Sequence, residues 1–130
     1  MDLITIERKS DLEFEIQVRG HSLVADMSVD DGGQDRGPAP AELFASSLGA
    51  CVAMMVQTYC DKHGYTDGDV SVTLTLELAD DPKRIGAVVI DVELPEGFPE
   101  EKQDVVKRVA EQCVIHGTLA NPPRIDIDFM

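Results

Sequence analysis

An α+β fold is predicted for this 130-residue chain, and three observations predict it. Apolar and polar residues alternate through much of the first 29 positions and again over Val70–Leu78 and Val88–Leu94, the period of half-buried strands. The uncharged run Leu43–Tyr59, 17 residues, has the length and composition of a core helix. A shorter amphipathic segment follows Pro99. Strands joined by short turns give an antiparallel sheet, here set with a long buried central helix and a second helix in one domain over residues 1–130.

The elements follow in order. Residues 3–9 alternate, with Ile4 and Ile6 on one face, and Ser10-Asp11 can turn the chain. Residues 12–18 place Leu12, Phe14, Ile16 and Val18 inward and Glu13, Glu15 and Gln17 outward. Gly20-His21 turns into a third strand over 22–28. Glycines, prolines and charges make Asp30–Pro40 irregular. Pro40 suits the first turn of a helix, where a missing N–H costs nothing, and Glu42 favours its positive end. Gly64 stops that helix after Lys62 and His63, so it is predicted over Pro40–His63. Apolar residues surround it nearly to Val56, and a partner subunit is expected to complete its burial. Asp80-Asp81-Pro82-Lys83 joins the strand pair. Past Pro99, Val106, Val109, Ala110 and Cys113 fall at i, i+3, i+4 and i+7, putting Cys113 on the buried face of the second helix. A loop over 116–123 and a strand over Ile125–Phe129 close the chain.

Composition narrows the partners. The 25 acidic and 11 basic residues give a net charge of −14, which repels phosphate backbones and anionic lipid, so neither nucleic acid nor membrane is expected as a partner. The run Leu43–Tyr59 holds Ser46, Ser47, Gln57 and Thr58, too polar for a good membrane span. Met1-Asp2-Leu3, followed by alternating residues, is not expected to open a signal peptide. Three widely spaced cysteines are not a disulfide framework, and a reducing cytoplasm is the expected location.

Cys51 and Cys60 lie nine residues apart in one helix, about 180° around its axis, and cannot pair. Cys51 and Cys113 occupy apolar faces of different helices and can meet. A dithiol inside a core can cycle to a disulfide if one sulfur is a thiolate within reach of substrate. All three cysteines also suit plain packing, since free cysteine behaves as a small hydrophobe. Cys113 with His116, and Cys60 with His63, leave a zinc site open, although no Cys-x2-Cys pair supports one. Glu42 also suits a helix-dipole role alone, and Arg36 a solvated loop charge.

The stretch "GPAPAELFASSLGAC", Gly37–Cys51, followed by "CVIHGTL", Cys113–Leu119, resembles the OsmC/Ohr superfamily, the osmotically inducible and organic hydroperoxide resistance proteins. The segment "GGQDRGPAPAELFASSLGAC" is more similar to the OsmC-like branch than to Ohr proper. The resemblance implies an intertwined homodimer with active sites at the subunit interface. It implies that Cys51 is the peroxidatic cysteine, whose thiolate attacks a hydroperoxide, and that Cys113 resolves the sulfenic acid into a disulfide. A cation held by a carboxylate activates such a cysteine, and Arg36 with Glu42 is the candidate pair. The family's glutamate directly after the proline is Ala41 here, and the proline that often follows the second cysteine is Val114.

The expected function is therefore a thiol-dependent reductase of small apolar hydroperoxides in oxidative-stress defence. It needs no cofactor and is recycled by an external dithiol reductant. Leu48, Met54, Met55 and Phe44 suit the alkyl part of the substrate. The Ala41 departure leaves two other readings: a dimeric small-ligand-binding protein, and a redox sensor or thiol-transfer protein using the same pair.

Overall fold

The computed structural model describes residues 3–130, so Met1 and Asp2 of the N-terminal reading lie outside the described residues. The elements form an antiparallel α+β architecture in two compact units, one ending at Ser46 and the other beginning at Ser47.

The first unit holds a meander of three strands, β1 (Thr5–Ser10), β2 (Glu13–Val18) and β3 (His21–Ala25), in the order β1-β2-β3. The turns fall within a residue of the predicted positions. Asp11 takes φ 48° between β1 and β2, and Arg19-Gly20 takes positive φ between β2 and β3, so His21 belongs to the strand and not to the turn. β3 ends three residues before the predicted Ser28, and the cause is Asp26. This side chain is 1% exposed. Its carboxylate accepts N–H bonds from Met27 at 2.7 Å, Gln34 at 3.3 Å and Arg36 at 3.1 Å, curling the following segment back on itself. A Cβ on Gly33 would stand 2.0 Å from the Met27 carbonyl oxygen, and one on Gly37 would stand 2.4 Å from that of Val24. Both glycines are therefore needed for close approach.

A single helix, α1 (Pro40–Lys62), follows, one residue shorter than predicted. Pro40 occupies its first position, and Glu42 reaches back to accept the Ala39 N–H at 2.9 Å, half of a capping box. Gly64 takes φ 79° just past its end. The helix is long and apolar enough to cross a membrane by length and composition, a test that soluble core helices also pass.

In the second unit, Leu48, Val52, Val56 and Cys60 form a stripe along α1 at i, i+4, i+8 and i+12. The stripe packs with Val106 and Cys113, and with Val88, Ile90, Val92 and Leu94 from the hairpin of β4 (Ser71–Ala79) and β5 (Arg84–Glu93). The hairpin pairs from Ser71↔Glu93 to Ala79↔Arg84, with a bulge that leaves Gly86 between the partners of Glu77 and Leu78. Gly49 brings helix and hairpin close, because a Cβ there would lie 2.5 Å from Leu74 Cδ1. Met54 remains 68% exposed, so the all-round apolar surface of α1 is not fully covered in one chain.

The C-terminal part differs most from expectation. The segment after Pro99 forms a 3-10 turn at Glu100–Lys102 and then α2 (Gln103–Ala110), which stops before Cys113. Cys113 is extended, with φ −67° and ψ 147°, and the predicted loop is a third helix, α3 (Val114–Ala120). The second cysteine therefore caps a helix and does not sit inside one. The predicted strand Ile125–Phe129 carries no strand assignment; Ile125, Ile127 and Phe129 are 76%, 75% and 95% exposed. Alternation writes a strand's two faces but supplies no neighbouring edge, and an unpaired strand has no ladder to hold it.

Two expectations follow. Gly49→Val, which forces a branched side chain into Leu74, is expected to destabilise the protein by about 1–3 kcal/mol in denaturant titrations. Burial raises the Asp26 carboxyl, but the Arg36, Met27 and Gln34 N–H groups and the Arg36 charge outweigh it and hold the group below its usual value. A depressed carboxyl contributes stability above its unfolded pKa of about 3.9 and loses it as pH falls through the folded value. Asp26→Asn is therefore expected to lower Tm at neutral pH and to weaken the loss of stability below about pH 4, read from thermal melts across pH.

Candidate active site

The core of the second unit brings two of the four predicted site residues together. Cys51 stands on α1 beside the buried stripe and is half-buried; Cys113, 2% exposed, opens α3. The Cys113 thiol hydrogen-bonds to the Cys51 sulfur. Both are free thiols.

The start of α3 completes the arrangement. A helix leaves its first N–H groups without intrahelical partners. Here sulfur satisfies them: Cys51 accepts from Val114 and Ile115, and Cys113 Sγ accepts the His116 N–H at 3.2 Å. Burial pushes the Cys51 thiol up, yet the Cys113 thiol and the Ile115 and Val114 N–H groups outweigh it, and Cys51 titrates below an ordinary thiol. Cys113 moves the other way. Burial raises it, the neighbouring Cys51 sulfur raises it further, and the His116 and Ile115 N–H groups offset only part of this. The pair is thus split into a thiolate-prone Cys51 and a proton-holding Cys113. Cys60 is 0% exposed, and burial followed by the Asp61 charge pushes its thiol up, which fits a packing role.

Arg36 and Glu42 lie in the first unit and are held by other partners there. The Arg36 guanidinium meets Glu13 at 3.8 Å and its backbone N–H serves Asp26, while Glu42 caps α1. Among the described residues no three His, Cys, Asp or Glu side chains gather as a metal site.

A cleft of about 600 Å³, which neither cysteine lines, opens between α1, β5, α2 and α3. Its floor is aliphatic, including Leu48, Val52, Val56 and Ile90, and Lys107 and His116 are among the polar residues that line it. Sequence reasoning found both cysteines but missed the α3 amides, because the i, i+3, i+4, i+7 pattern ran through Cys113 and concealed the helix start there.

The OsmC-like protein family model matches residues 32–128, which takes in α1, both cysteines and α3. The chain belongs to the OsmC-like family. Its fold is similar to that of a candidate osmotic stress induced and detoxification response protein from Psychrobacter arcticus 273-4, with TM-score 0.81 and 19% identity over 88% of this chain and 85% of that one. An OsmC like protein from Mycoplasma pneumoniae follows at TM-score 0.78 and 16% identity, covering 94% and 89%. The organic hydroperoxide resistance protein OhrB of Bacillus subtilis superposes less tightly, at TM-score 0.59 and 21% identity, covering 93% and 92%. No curated protein sequence matches the chain.

The split between the thiols is directly measurable. Cys51 is expected to react with iodoacetamide at a lower pH than a free thiol, and Cys113→Ala, which removes the S–H donor, to move that pH upward. Peptide mass spectrometry across pH follows each cysteine separately, and equal profiles for Cys51 and Cys113 would refute the split.

Proposed function

We propose that this OsmC-like protein is a thiol-dependent organic hydroperoxide reductase. The observation that carries the reading is the Cys51–Cys113 contact, with the thiolate-prone sulfur on the more accessible residue. The Cys51 thiolate attacks the distal oxygen of ROOH, the O–O bond breaks, and a proton completes the alcohol ROH, leaving Cys51 as sulfenic acid. Cys113 then attacks that sulfur, losing its thiol proton as water leaves, and a disulfide forms. An external dithiol returns both thiols by exchange, in a reducing cytoplasm. The aliphatic floor of the cleft favours an apolar R group over hydrogen peroxide. Arg36 and Glu42 are retained as the candidate activating pair. Assembly as a homodimer is part of this reading, supported by the exposed Met54 on α1 and by the exposed, alternating tail from Ile125 to Phe129.

A second reading, a small-ligand-binding protein without efficient peroxidase activity, is favoured by Ala41 and by the size of the cleft.

Stopped-flow oxidation by cumene hydroperoxide separates the two. Wild type is expected to oxidise at least about 100-fold faster than free cysteine, within the range that positioned nucleophiles and proton donors contribute. Cys51→Ser is expected to abolish the reaction, and Cys113→Ser to stop it at a sulfenic acid trappable with dimedone. A wild-type rate equal to free cysteine would hand the site to the ligand-binding reading.

A further inference from the structure

We propose that His116 is a further catalytic residue: its imidazole hands a proton to the alkoxide oxygen that leaves when Cys51 breaks the O–O bond. This rests on the peroxidase reading above and supplies the proton donor which that reading leaves unassigned.

The leaving group sets the need. Sulfur attack on an alkyl hydroperoxide expels RO−, a strongly basic anion that departs slowly unless a proton reaches its oxygen as the bond breaks. Cys113 holds a proton, but its S–H is engaged with the Cys51 sulfur, and the next step consumes it. A separate donor beside the leaving oxygen answers the need.

The place of that oxygen follows from the two ends of the substrate. The distal oxygen goes to Cys51, and the R group lies on the aliphatic floor of the cleft. Neither cysteine lines the cleft, but residues close to both do: Val52 follows Cys51, and His116 lies three residues past Cys113. The proximal oxygen joins the two ends, so it sits between the sulfur pair and the cleft. His116 spans that boundary. Its backbone N–H donates to Cys113 Sγ at 3.2 Å, and the same residue lines the cleft. The other polar lining residues, Gln103, Asp104, Lys107 and Glu111, come from α2 and its C-terminal cap, and none of them is a hydrogen-bond partner of either sulfur.

The side chain suits the task. Imidazole both holds and releases a proton near neutral pH, whereas an ammonium holds it too tightly and a carboxylate has already lost it. His116 is exposed, and among the described residues no ion pair or side-chain hydrogen bond occupies its ring. It can therefore face a substrate oxygen and be recharged from solvent.

The step balances. The Cys51 thiolate and ROOH give Cys51–SOH and RO−; the sulfur loses two electrons and the O–O bond takes them. The imidazolium of His116 gives its proton to RO−, forming ROH, and the neutral ring regains a proton from water. Attack by Cys113 on the sulfenic acid then proceeds as above.

Oxidants with different leaving groups separate proton delivery from a structural role. Cumene hydroperoxide expels an alkoxide, whereas meta-chloroperbenzoic acid expels a carboxylate, which leaves at neutral pH without a proton. His116→Gln removes the imidazole and keeps the backbone N–H bond to Cys113. Oxidation of Cys51 in wild type and H116Q is followed by stopped flow with each oxidant. H116Q is expected to react about 100-fold more slowly with cumene hydroperoxide, the low end of what a general acid contributes, and to match wild type with the peracid, which also shows that the variant is folded around its thiol. Equal rates for H116Q and wild type with cumene hydroperoxide overturn the role of His116 and leave the peroxidase reading standing. Equal slowing of H116Q with both oxidants does the same, because it marks a structural effect. A wild type no faster than free cysteine with cumene hydroperoxide overturns both.

Discussion

Backbone N–H groups that leave water must find acceptors, and in each unit of this protein a small number of side-chain atoms supply them. In the second unit the acceptors are the sulfurs of Cys51 and Cys113, which hold the first turn of α3. The same contacts lower the Cys51 thiol and fasten the helix, so the chemistry of the site and its local stability are one set of hydrogen bonds. Cys51 is placed by the α1 stripe, and Cys113 by the end of α2 at Ala110. In the first unit the acceptor is the Asp26 carboxylate, which gathers three N–H groups and shapes the segment carrying Arg36 and the start of α1.

Magnitudes indicate how far this activation reaches. One pKa unit corresponds to about 1.4 kcal/mol. A charge near a helix N-terminus gains about 0.3–1 kcal/mol at exposed positions and up to about 2 kcal/mol when partly buried. Burial opposes this for a thiolate. The α3 amides and the Cys113 thiol together can therefore favour the thiolate modestly, while a guanidinium in contact with the sulfur would add considerably more. Arg36 is the sequence-predicted source of such a cation. Its side chain is 62% exposed and meets Glu13, which is only 12% exposed, at 3.8 Å.

Much of this was legible in the sequence. Strict alternation announced the β4–β5 hairpin, Pro40 and Gly64 bracketed α1, and the apolar faces of two segments let Cys51 and Cys113 meet. The failures have a common physical origin. Asp26 reads as one more surface acid, because no local pattern says that a carboxylate will be buried by the backbone of residues eight and ten positions on. The start of α3 is hidden because cysteine is not a usual capping residue and Val106, Val109, Ala110 and Cys113 keep helical spacing across the break. The tail from Ile125 to Phe129 alternates as a strand should, yet strand formation depends on a partner edge, which is a property of tertiary or quaternary pairing and not of the segment itself.

The sequence of α3 is a poor helix former. It has seven residues with Gly117 at the centre, and none of them is fully buried, so neither length, propensity nor packing holds it strongly. Its first turn depends instead on the sulfurs beside it. The contacts that lower the Cys51 thiol are therefore also those that keep the amides in place, and a change at either cysteine acts on the helix and on the thiol together.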